Sequence, residues 1–361
     1  MPPLLSTSAL YSARPRLRVD GRDQPGLGDG VLSLVVEETT AGLYRCEAVF
    51  GNWGTKDGAP GFLFFDRATF DFGKPLEVEM GDGDASGKVF QGKITGLEAH
   101  FPEGRPPEIA VLAEDRLQDL RMTRRSRTYE DSSDADAVRF IASKHGLQAQ
   151  VDLDGPTHAV IAQVNQSDLA FLRERARAVD AEVWVEGDTL HAQARGRRNA
   201  GQVSLEYGRT LREFSVLADL AGQRSSLTVS GWDVAAKEGI ASEASESAVQ
   251  SELGGNDSGG KILKSAFGDR AERVVHLVSL TPGEADGLAK ARFRGMARRF
   301  LTGRGISDGD ARIRVGTKVD LKSVGTLFEG EYYVTEVRQT FDAAHGYRSR
   351  FAVERPGLGR P

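Results

Sequence analysis

The sequence predicts a mainly β protein of the α+β kind, with two β-barrel domains and a compact α/β unit between them. Three observations lead to this prediction. Short alternating apolar and polar runs recur near both ends of the chain, 42 glycines punctuate them as turn residues do, and helical spacing is confined to the middle and to one late segment. A chain of 361 residues is long enough for two or three domains with cores of their own.

The first barrel is predicted over residues 15–115, after an N-terminal arm of residues 1–14. This region contains several β-rich runs separated by turn residues, among them GVLSLVVEET, KVFQGKITGLEAHF and PEIAVLAED. Many short strands at this spacing are typical of a small barrel or sandwich.

The α/β unit is predicted over residues 116–200. Ser133 and Asp136 have the spacing of a capping box, in which a hydroxyl and a carboxylate satisfy free N–H groups at the start of a helix. Gly146 stands where the C-terminal cap of that helix belongs. Ser167 begins a second helix, and EVWVEG followed by TLHAQA predicts a hairpin.

The second barrel is predicted over residues 201–356, before a short tail of residues 357–361. Within it, residues 233–268 are rich in Ala, Ser, Glu and Gly and have little periodicity, which predicts a loosely structured insertion. A third helix is predicted from Thr281, where TPGE supplies a cap and an early proline, to Gly303.

The last strands are predicted to close this barrel as a hairpin. Two extended runs, GEYYVTEVRQTFD and GYRSRFAVER, flank a turn at His345 and Gly346. We predict that one face of the hairpin belongs to the barrel core and consists of Tyr333, Val337, Phe341, Tyr347, Phe351 and Val353.

Composition and charge argue against several classes of protein. The formal net charge of -5, from 47 Lys+Arg and 52 Asp+Glu, argues against general nucleic-acid binding. The single cysteine, Cys46, excludes an intramolecular disulfide and a cysteine-based zinc site. No apolar run approaches the roughly 18–20 residues that span a bilayer. Since the N-terminus lacks the features of a Sec signal, we expect no signal peptide, no membrane insertion and folding in a cytoplasm.

Four short stretches resemble catalytic or metal-binding signatures. NDSGG at 256–260 and DAAHG at 342–346 echo the serine and histidine loops of chymotrypsin-like proteases, but in the reverse order. GISDG at 305–309 has a predicted helix before it and a strand after it, the opposite of a nucleophile elbow. DGDASG at 82–87 resembles half of an EF-hand loop, with Lys93 where a glutamate is needed.

From these departures we predict no catalytic, cofactor-binding or metal-binding residues, with adventitious calcium at the last motif as the alternative. The six histidines form no H-x-x-x-H pair, which agrees with the prediction that no metal site exists.

A basic cluster, Arg121, Arg124, Arg125 and Arg127, lies between the first barrel and the α/β unit. Solvated loop residues are one interpretation of it. The other is that these arginines pair with acidic surfaces, and we retain them as candidate inter-subunit or inter-domain contacts.

Several stretches, taken together in their order and spacing, resemble the phage late control protein D family. Members are hub proteins of contractile tails and are related to the hub half of type VI secretion spike proteins. The likeness is carried by residues 113–147, 165–185 and 283–305, by VSGWDVAAKEGI at 229–240, and by the terminal hairpin. The chain departs from the family pattern at Gln339 and Ser349, where His and Thr are frequent, and both changes keep hydrogen-bonding capacity.

The resemblance implies that both barrels are tail-tube-like and that three chains form a pseudo-six-fold ring around a channel. Such a homotrimer would join a six-fold inner tube to a three-fold spike and would nucleate tube assembly. Because the sequence stops soon after Arg355, we expect the spike on a separate chain. Baseplate wedge components are further expected partners, and the expected location is a tail or extracellular injection particle.

No enzymatic activity is implied by this resemblance, and two alternatives remain open. One is a tail-tip enzyme such as a peptidoglycan hydrolase or peptidase. The other is a host-surface binding β protein, which would need an aromatic-lined groove, whereas we expect the aromatic residues, 7% of the chain, to occupy barrel cores.

Overall fold

The computed structural model describes residues 14–56, 58–234, 236–275 and 281–360, and strands predominate in it. Most of the predicted N-terminal arm lies outside the described residues, as does Pro361 of the predicted tail. None of the helices in the described ranges is both long and apolar enough to cross a membrane.

The first region precedes residue 116 and is built mainly of antiparallel strands. Its elements are β1 (Arg16–Val19), β2 (Arg22–Asp23), α1 (Pro25–Gly30), β3 (Val31–Thr39), β4 (Arg45–Gly51), β5 (Trp53–Lys56), β6 (Ala59–Phe62), β7 (Pro75–Met80), a 3₁₀ turn (Gly83–Ala85), β8 (Gly87–His100) and β9 (Glu108–Glu114). Alternate side chains of β1, β3, β4, β7, β8 and β9 are buried in one apolar core, as the period of a half-buried strand requires.

The middle region is a compact α/β unit. Its elements are α2 (Leu117–Arg121), β10 (Arg124–Ser132), α3 (Asp134–Lys144), β11 (Gln148–Asp152), β12 (His158–Ser167), α4 (Asp168–Ala178), β13 (Ala181–Glu186), β14 (Thr189–Ala194) and a 3₁₀ turn (Arg195–Arg197). The predicted capping box at Ser133 and Asp136 is confirmed, with both of its hydrogen bonds present. The Ser167 hydroxyl likewise accepts a hydrogen bond from the Ala170 N–H, so local chemistry sets both helix starts.

The last region contains the remaining elements. They are β15 (Gln202–Glu206), β16 (Leu211–Ala218), β17 (Ser226–Asp233), β18 (Glu238–Ser245), a 3₁₀ turn (Glu246–Glu252), β19 (Asp257–Ser258), α5 (Gly259–Phe267), β20 (Ala271–Val274), α6 (Pro282–Arg298), β21 (Leu301–Asp308), β22 (Lys318–Lys322), β23 (Gly330–Asp342), β24 (Gly346–Arg355) and β25 (Gly357–Leu358).

Strands of the first and last regions join in one sheet, which differs from the prediction of two separate barrels. The order along this sheet is β16-β21-β24-β23-β3-β4-β9-β8-β7-β1-β2. The junction is the antiparallel pair of β23 with β3, from Glu336 opposite Thr39 to Asp342 opposite Ser33. Each of these strands would otherwise leave an edge of unpaired N–H and C=O groups. The sheets are not closed barrels, and the domain boundaries stay predictions.

The prediction of a loosely structured insertion at residues 233–268 is wrong. Strand β18 pairs with β17 along its whole length, and α5 begins at an N-cap provided by Ser258. Ala244 and Val249 are buried in one apolar core with residues of β17 and of the following long helix, and Leu263 is also buried. The elements here are short and many of their side chains are small. The sequence therefore shows little hydrophobic periodicity even though the segment is folded.

The third helix, α6, begins at the predicted cap Thr281 but ends at Arg298, before the predicted Gly303. Leu301 is already part of β21, paired with Ala218 on one side and Arg355 on the other. Tertiary pairing thus overrides the prediction that the helix continues to Gly303. Helix α6 packs on the sheet of β17 and β18.

Candidate functional site

The predicted core face of the terminal hairpin occupies the centre of the sheet. Val337 lies opposite Phe351, and Phe341 opposite Tyr347, in the β23–β24 register. These four side chains and Val353 are buried. They contribute to two apolar cores, one beneath each half of the sheet.

Tyr333 does not share that face, which corrects the prediction for this residue. The β23–β24 register shifts between Val334 and Glu336, so one extra residue, Thr335, reverses the side-chain alternation. Val334 and Tyr332 take the buried positions instead. The bulge thereby directs Tyr333 to the opposite face, against the middle region.

There, Tyr333 is part of what we call the charged junction, defined as Tyr44, Glu182, Arg195, Arg198 and Tyr333. The Tyr333 hydroxyl donates to Glu182 Oε2 at 2.8 Å. Arg198 Nη1 donates to the same oxygen at 2.7 Å, and Arg198 Nη2 donates to the Tyr44 hydroxyl at 3.0 Å. The first, middle and last regions each supply at least one member, so the network joins all three.

Burial and the neighbouring groups have opposite effects on the pKa of Arg198. The Glu182 and Arg198 side chains are both about 5% exposed, and burial by itself would lower the pKa of an arginine. Tyr44 and Glu182 outweigh that effect, so the pKa of Arg198 lies above its ordinary value. The Arg198 guanidinium also stacks 3.8 Å from the centre of the Trp184 ring. Arg198 therefore stays protonated, and its contacts hold it in a fixed geometry.

Arg195 extends the junction to the end of the sheet. It forms an ion pair with Glu354 of β24, lies 3.6 Å from Glu182 and covers the face of the Tyr333 ring at 4.4 Å. Burial raises the pKa of the Tyr333 hydroxyl well above its ordinary value, and the nearby carboxylate of Glu182 raises it further. That hydroxyl acts as a hydrogen-bond donor, and we assign it no acid–base role.

Two further ion-pair clusters, each centred on one buried side chain, link distant parts of the chain. Glu38 of β3 pairs with Arg314 in the loop after β21 and also accepts the Val315 N–H at 3.2 Å. Arg298 at the end of α6 pairs with Asp180 at 2.5 Å and with Glu252 at 2.7 Å. Such pairs contribute little net stability but penalise any arrangement that separates them.

The predicted basic cluster lies on the surface of the middle region and at its border with the sheet. Arg121 forms a bidentate pair with Glu114 of β9, with N–O distances of 3.1 and 2.5 Å. Arg125 lies 3.3 Å from Asp168, and Arg127 stacks on the Phe140 ring at 4.8 Å. Arg124 donates to a backbone carbonyl. An inter-subunit role for the cluster stays a prediction.

The residues of the catalytic-looking motifs have structural partners. The Ser258 hydroxyl caps α5 by accepting the Lys261 N–H at 3.1 Å. Ser307 is buried within β21 and donates to a backbone carbonyl. His345 pairs with Asp342 inside the exposed turn. Asp82 accepts an N–H at the start of a 3₁₀ turn. Within the described ranges, no group of three His, Cys, Asp or Glu residues could hold a metal ion.

A surface cluster of aromatic rings was not expected from the sequence. Trp53, Phe62, Phe65 and Phe101 contact one another with ring centres 4.9–6.2 Å apart, yet each is at least 37% exposed. The expectation that the aromatic residues lie in barrel cores is therefore wrong for these four. Exposed apolar patches of this kind mark interaction surfaces.

Comparison with solved structures identifies the fold. The 43 kDa tail protein of prophage MuSo2 from Shewanella oneidensis is 14% identical, with a TM-score of 0.71, and the match covers 96% of this chain and 99% of that one. A tail protein from Neisseria meningitidis is 14% identical, with a TM-score of 0.70 and coverage of 97% and 98%. The chain therefore has the fold of these tail proteins.

A third structure is an E. coli component of the type VI secretion system, described as structurally similar to the T4 bacteriophage tail proteins gp27 and gp5. It is 13% identical, with a TM-score of 0.55, and the match covers 96% of this chain and 79% of that one. No curated protein gives a significant sequence match. A family model described as the Alg8 N-terminal domain matches residues 55–342. Since this match extends over most of the sequence, the chain belongs to the Alg8 N-terminal domain family.

Proposed function

We propose that the chain is the structural hub of a contractile tail or contractile injection particle, of the late control protein D type. The observation that carries the proposal is the similarity to two tail proteins over nearly the full length of all three chains. A match of this extent includes the middle region and α6 as well as the sheet, so it concerns a whole architecture and not a common barrel.

In this role the chain acts as a homotrimer. The first and last regions each have an apolar core beneath their part of the sheet, so three chains present six comparable units. Closed rotational symmetry then reconciles a six-fold inner tube with a three-fold spike on a separate chain. The hub nucleates tube assembly and contacts baseplate wedge components. It is assembled in the cytoplasm and resides in the finished tail or particle.

The charged junction suits this role because it holds three regions in one orientation. A hub that must present fixed surfaces to a tube and a spike benefits when the relative placement of its parts has one well-defined solution. Buried ion pairs provide such specificity more than they provide stability. The activity is thus assembly and not catalysis.

The proposal is tested by the mass of the purified chain in solution. Multi-angle light scattering is expected to give three times the chain mass of 39.0 kDa. The purified species is then imaged with the tube and spike proteins of the same particle, where a ring between them is expected. A chain that stays monomeric at all concentrations and does not associate with either protein contradicts the proposal.

The exposed aromatic cluster favours host-surface binding as a second candidate function. Four adjoining rings at the surface can stack on sugar rings or cover an apolar protein surface. Replacing Phe101 with Ser leaves the core intact, because this side chain is 64% exposed. Loss of binding to intact target cells in that variant would support the second function. A tail-tip hydrolase is tested separately by incubation with purified cell wall.

A further inference from the structure

A groove lies between β12 and helix α6, and we call it the β12–α6 groove. Its volume is about 680 Å³, within the range of sites that bind ligands or peptide segments. Val160 and Ala162 of β12 line it together with Gly287, Leu288 and Ala291 of α6. Residues of α4 also line it.

Among the described residues, β12 is an edge strand. The sheet here has two strands, with β10 on the other side of β12. In the part of the chain that the structure describes, no backbone group of residues 159–162 is hydrogen-bonded on the groove side. Val160 is 57% exposed. An open edge facing a helix across a groove accepts an extended peptide as an added strand.

The charges around the groove indicate the kind of segment that fits it. His158 Nδ1 lies 2.7 Å from Glu284 Oε1, a contact between two lining residues. Asp134 pairs with Arg175 at 2.5 Å, and Asp286 pairs with Lys290 at 2.8 Å. The other charged lining residues, Asp154, Glu174, Asp180 and Arg294, also have partners within the chain. An ionised ligand would have to displace one of them, so an uncharged segment is favoured.

The chain itself contains such a segment. Residues 1–13, MPPLLSTSALYSA, lie outside the described residues and carry no charged side chain. They lead into Arg14, which donates to the Asp29 carbonyl at 2.8 Å beside α1. In extended form thirteen residues reach up to about 43 Å, more than the roughly 30 Å diameter of a small domain.

We propose that the β12–α6 groove binds residues 1–13 of a second copy of the chain as an added strand. The proposal rests on the homotrimer of the proposed function and names a contact that links its subunits. Exchange of an extended segment joins identical chains at low cost. It also covers the open edge of β12, which otherwise invites non-specific pairing.

The test is disulfide trapping between singly substituted chains. The only native cysteine, Cys46, is buried, and burial raises the pKa of its thiol, so the background is low. Chains with Ser8→Cys are mixed with chains carrying Val160→Cys, oxidised and analysed without reductant. The matched control is Val234→Cys, at a valine that is 69% exposed outside the groove.

A disulfide-linked pair from the Val160→Cys mixture, in at least about tenfold higher yield than from the Val234→Cys mixture, is the expected result. A second variant blocks the groove. A Cβ at Gly287 meets no atom within 4 Å, so Gly287→Phe is expected to fold normally and to lose the cross-link by a similar factor. Circular dichroism checks its fold.

The outcomes separate this proposal from the hub proposal. Equal yields in the two mixtures, or no effect of Gly287→Phe, overturn the groove proposal. A chain that carries both Ser8→Cys and Val160→Cys is oxidised in parallel. If it forms a link within itself while the mixture forms none, the groove binds its own N-terminal segment and exchange is overturned. If light scattering gives three chains while no link forms, the groove proposal fails and the hub proposal stands. A strict monomer without a link contradicts both.

Discussion

Replacement of Arg198 by Met tests whether the charged junction holds the regions together. The substitution keeps a long apolar side chain over Trp184 but removes the guanidinium group that lies 2.7 Å from Glu182. Glu182 then stays buried, with Arg195 at 3.6 Å as its nearest cation. Breaking a buried pair by removing one partner costs about 3–5 kcal/mol, because an uncompensated charge is left behind.

Unfolding in guanidinium chloride, followed by tryptophan fluorescence and by circular dichroism, measures this free energy if both probes give one transition. For a chain of 361 residues, the same loss lowers the melting temperature by about 4–7 °C. Arg197→Met is the matched control, since Arg197 is 41% exposed and pairs with exposed aspartates. Its expected cost is about 0–1 kcal/mol.

A double variant distinguishes the cost of leaving Glu182 without its partner from the cost of lost packing. Adding Glu182→Gln to Arg198→Met removes the buried carboxylate and is expected to restore about 1 kcal/mol or more. The reasoning is refuted if Arg198→Met costs no more than Arg197→Met. It is also refuted if the double variant is less stable than Arg198→Met alone.

Three further predictions concern stability. Burial raises the pKa of Asp115 to about 7, above the unfolded value near 4, so its stabilising contribution is complete below about pH 4 and is lost as the pH rises to about 7. In Asp115→Asn, the free energy of unfolding in urea should therefore vary less between pH 4 and pH 7 than in the parent. An unchanged pH dependence contradicts this. Gly42→Ala should lower the free energy of unfolding by about 2–4 kcal/mol, since φ is +66° and a Cβ would meet a β13 carbonyl oxygen at 2.3 Å. The control Gly58→Ala, at φ +84° in open space, should cost about 1 kcal/mol. Equal losses of stability in thermal melts refute the clash. Tyr333→Phe should lower the free energy of unfolding by about 1.5–3 kcal/mol, because it removes the hydrogen bond to Glu182. A free energy of unfolding within about 0.5 kcal/mol of the parent value would contradict this.

Local chemistry made the helix starts predictable from the sequence. Ser133, Ser167 and Thr281 each cap a helix through an N–H three residues away, so all the information lies in one short window. The ends of elements were less predictable, because Leu301 leaves the helical pattern to pair with strands more than fifty residues distant along the chain on one side and about eighty on the other.

The charged junction could not be predicted for the same reason. Tyr44 meets Arg198 across 154 positions, and Tyr333 meets Glu182 across 151. Nothing in the sequence near Glu182 distinguishes it from a solvated strand residue. The bulge at Thr335, which turns Tyr333 towards Glu182, likewise leaves no turn signal in YYVTEV, so strict alternation assigned Tyr333 to the wrong face.

The pairing of β3 with β23 has a consequence for synthesis. Glu37 and Arg338, which face each other in that ladder, are 301 positions apart. At about 5–20 residues per second, the ribosome needs about 15–60 s to make the intervening chain. Throughout that interval the edge of β3 is complete but lacks its neighbour. Nascent chains on one polysome therefore expose identical unpaired strands to each other, and a trigger-factor-like holdase or slow initiation would raise the yield of native protein.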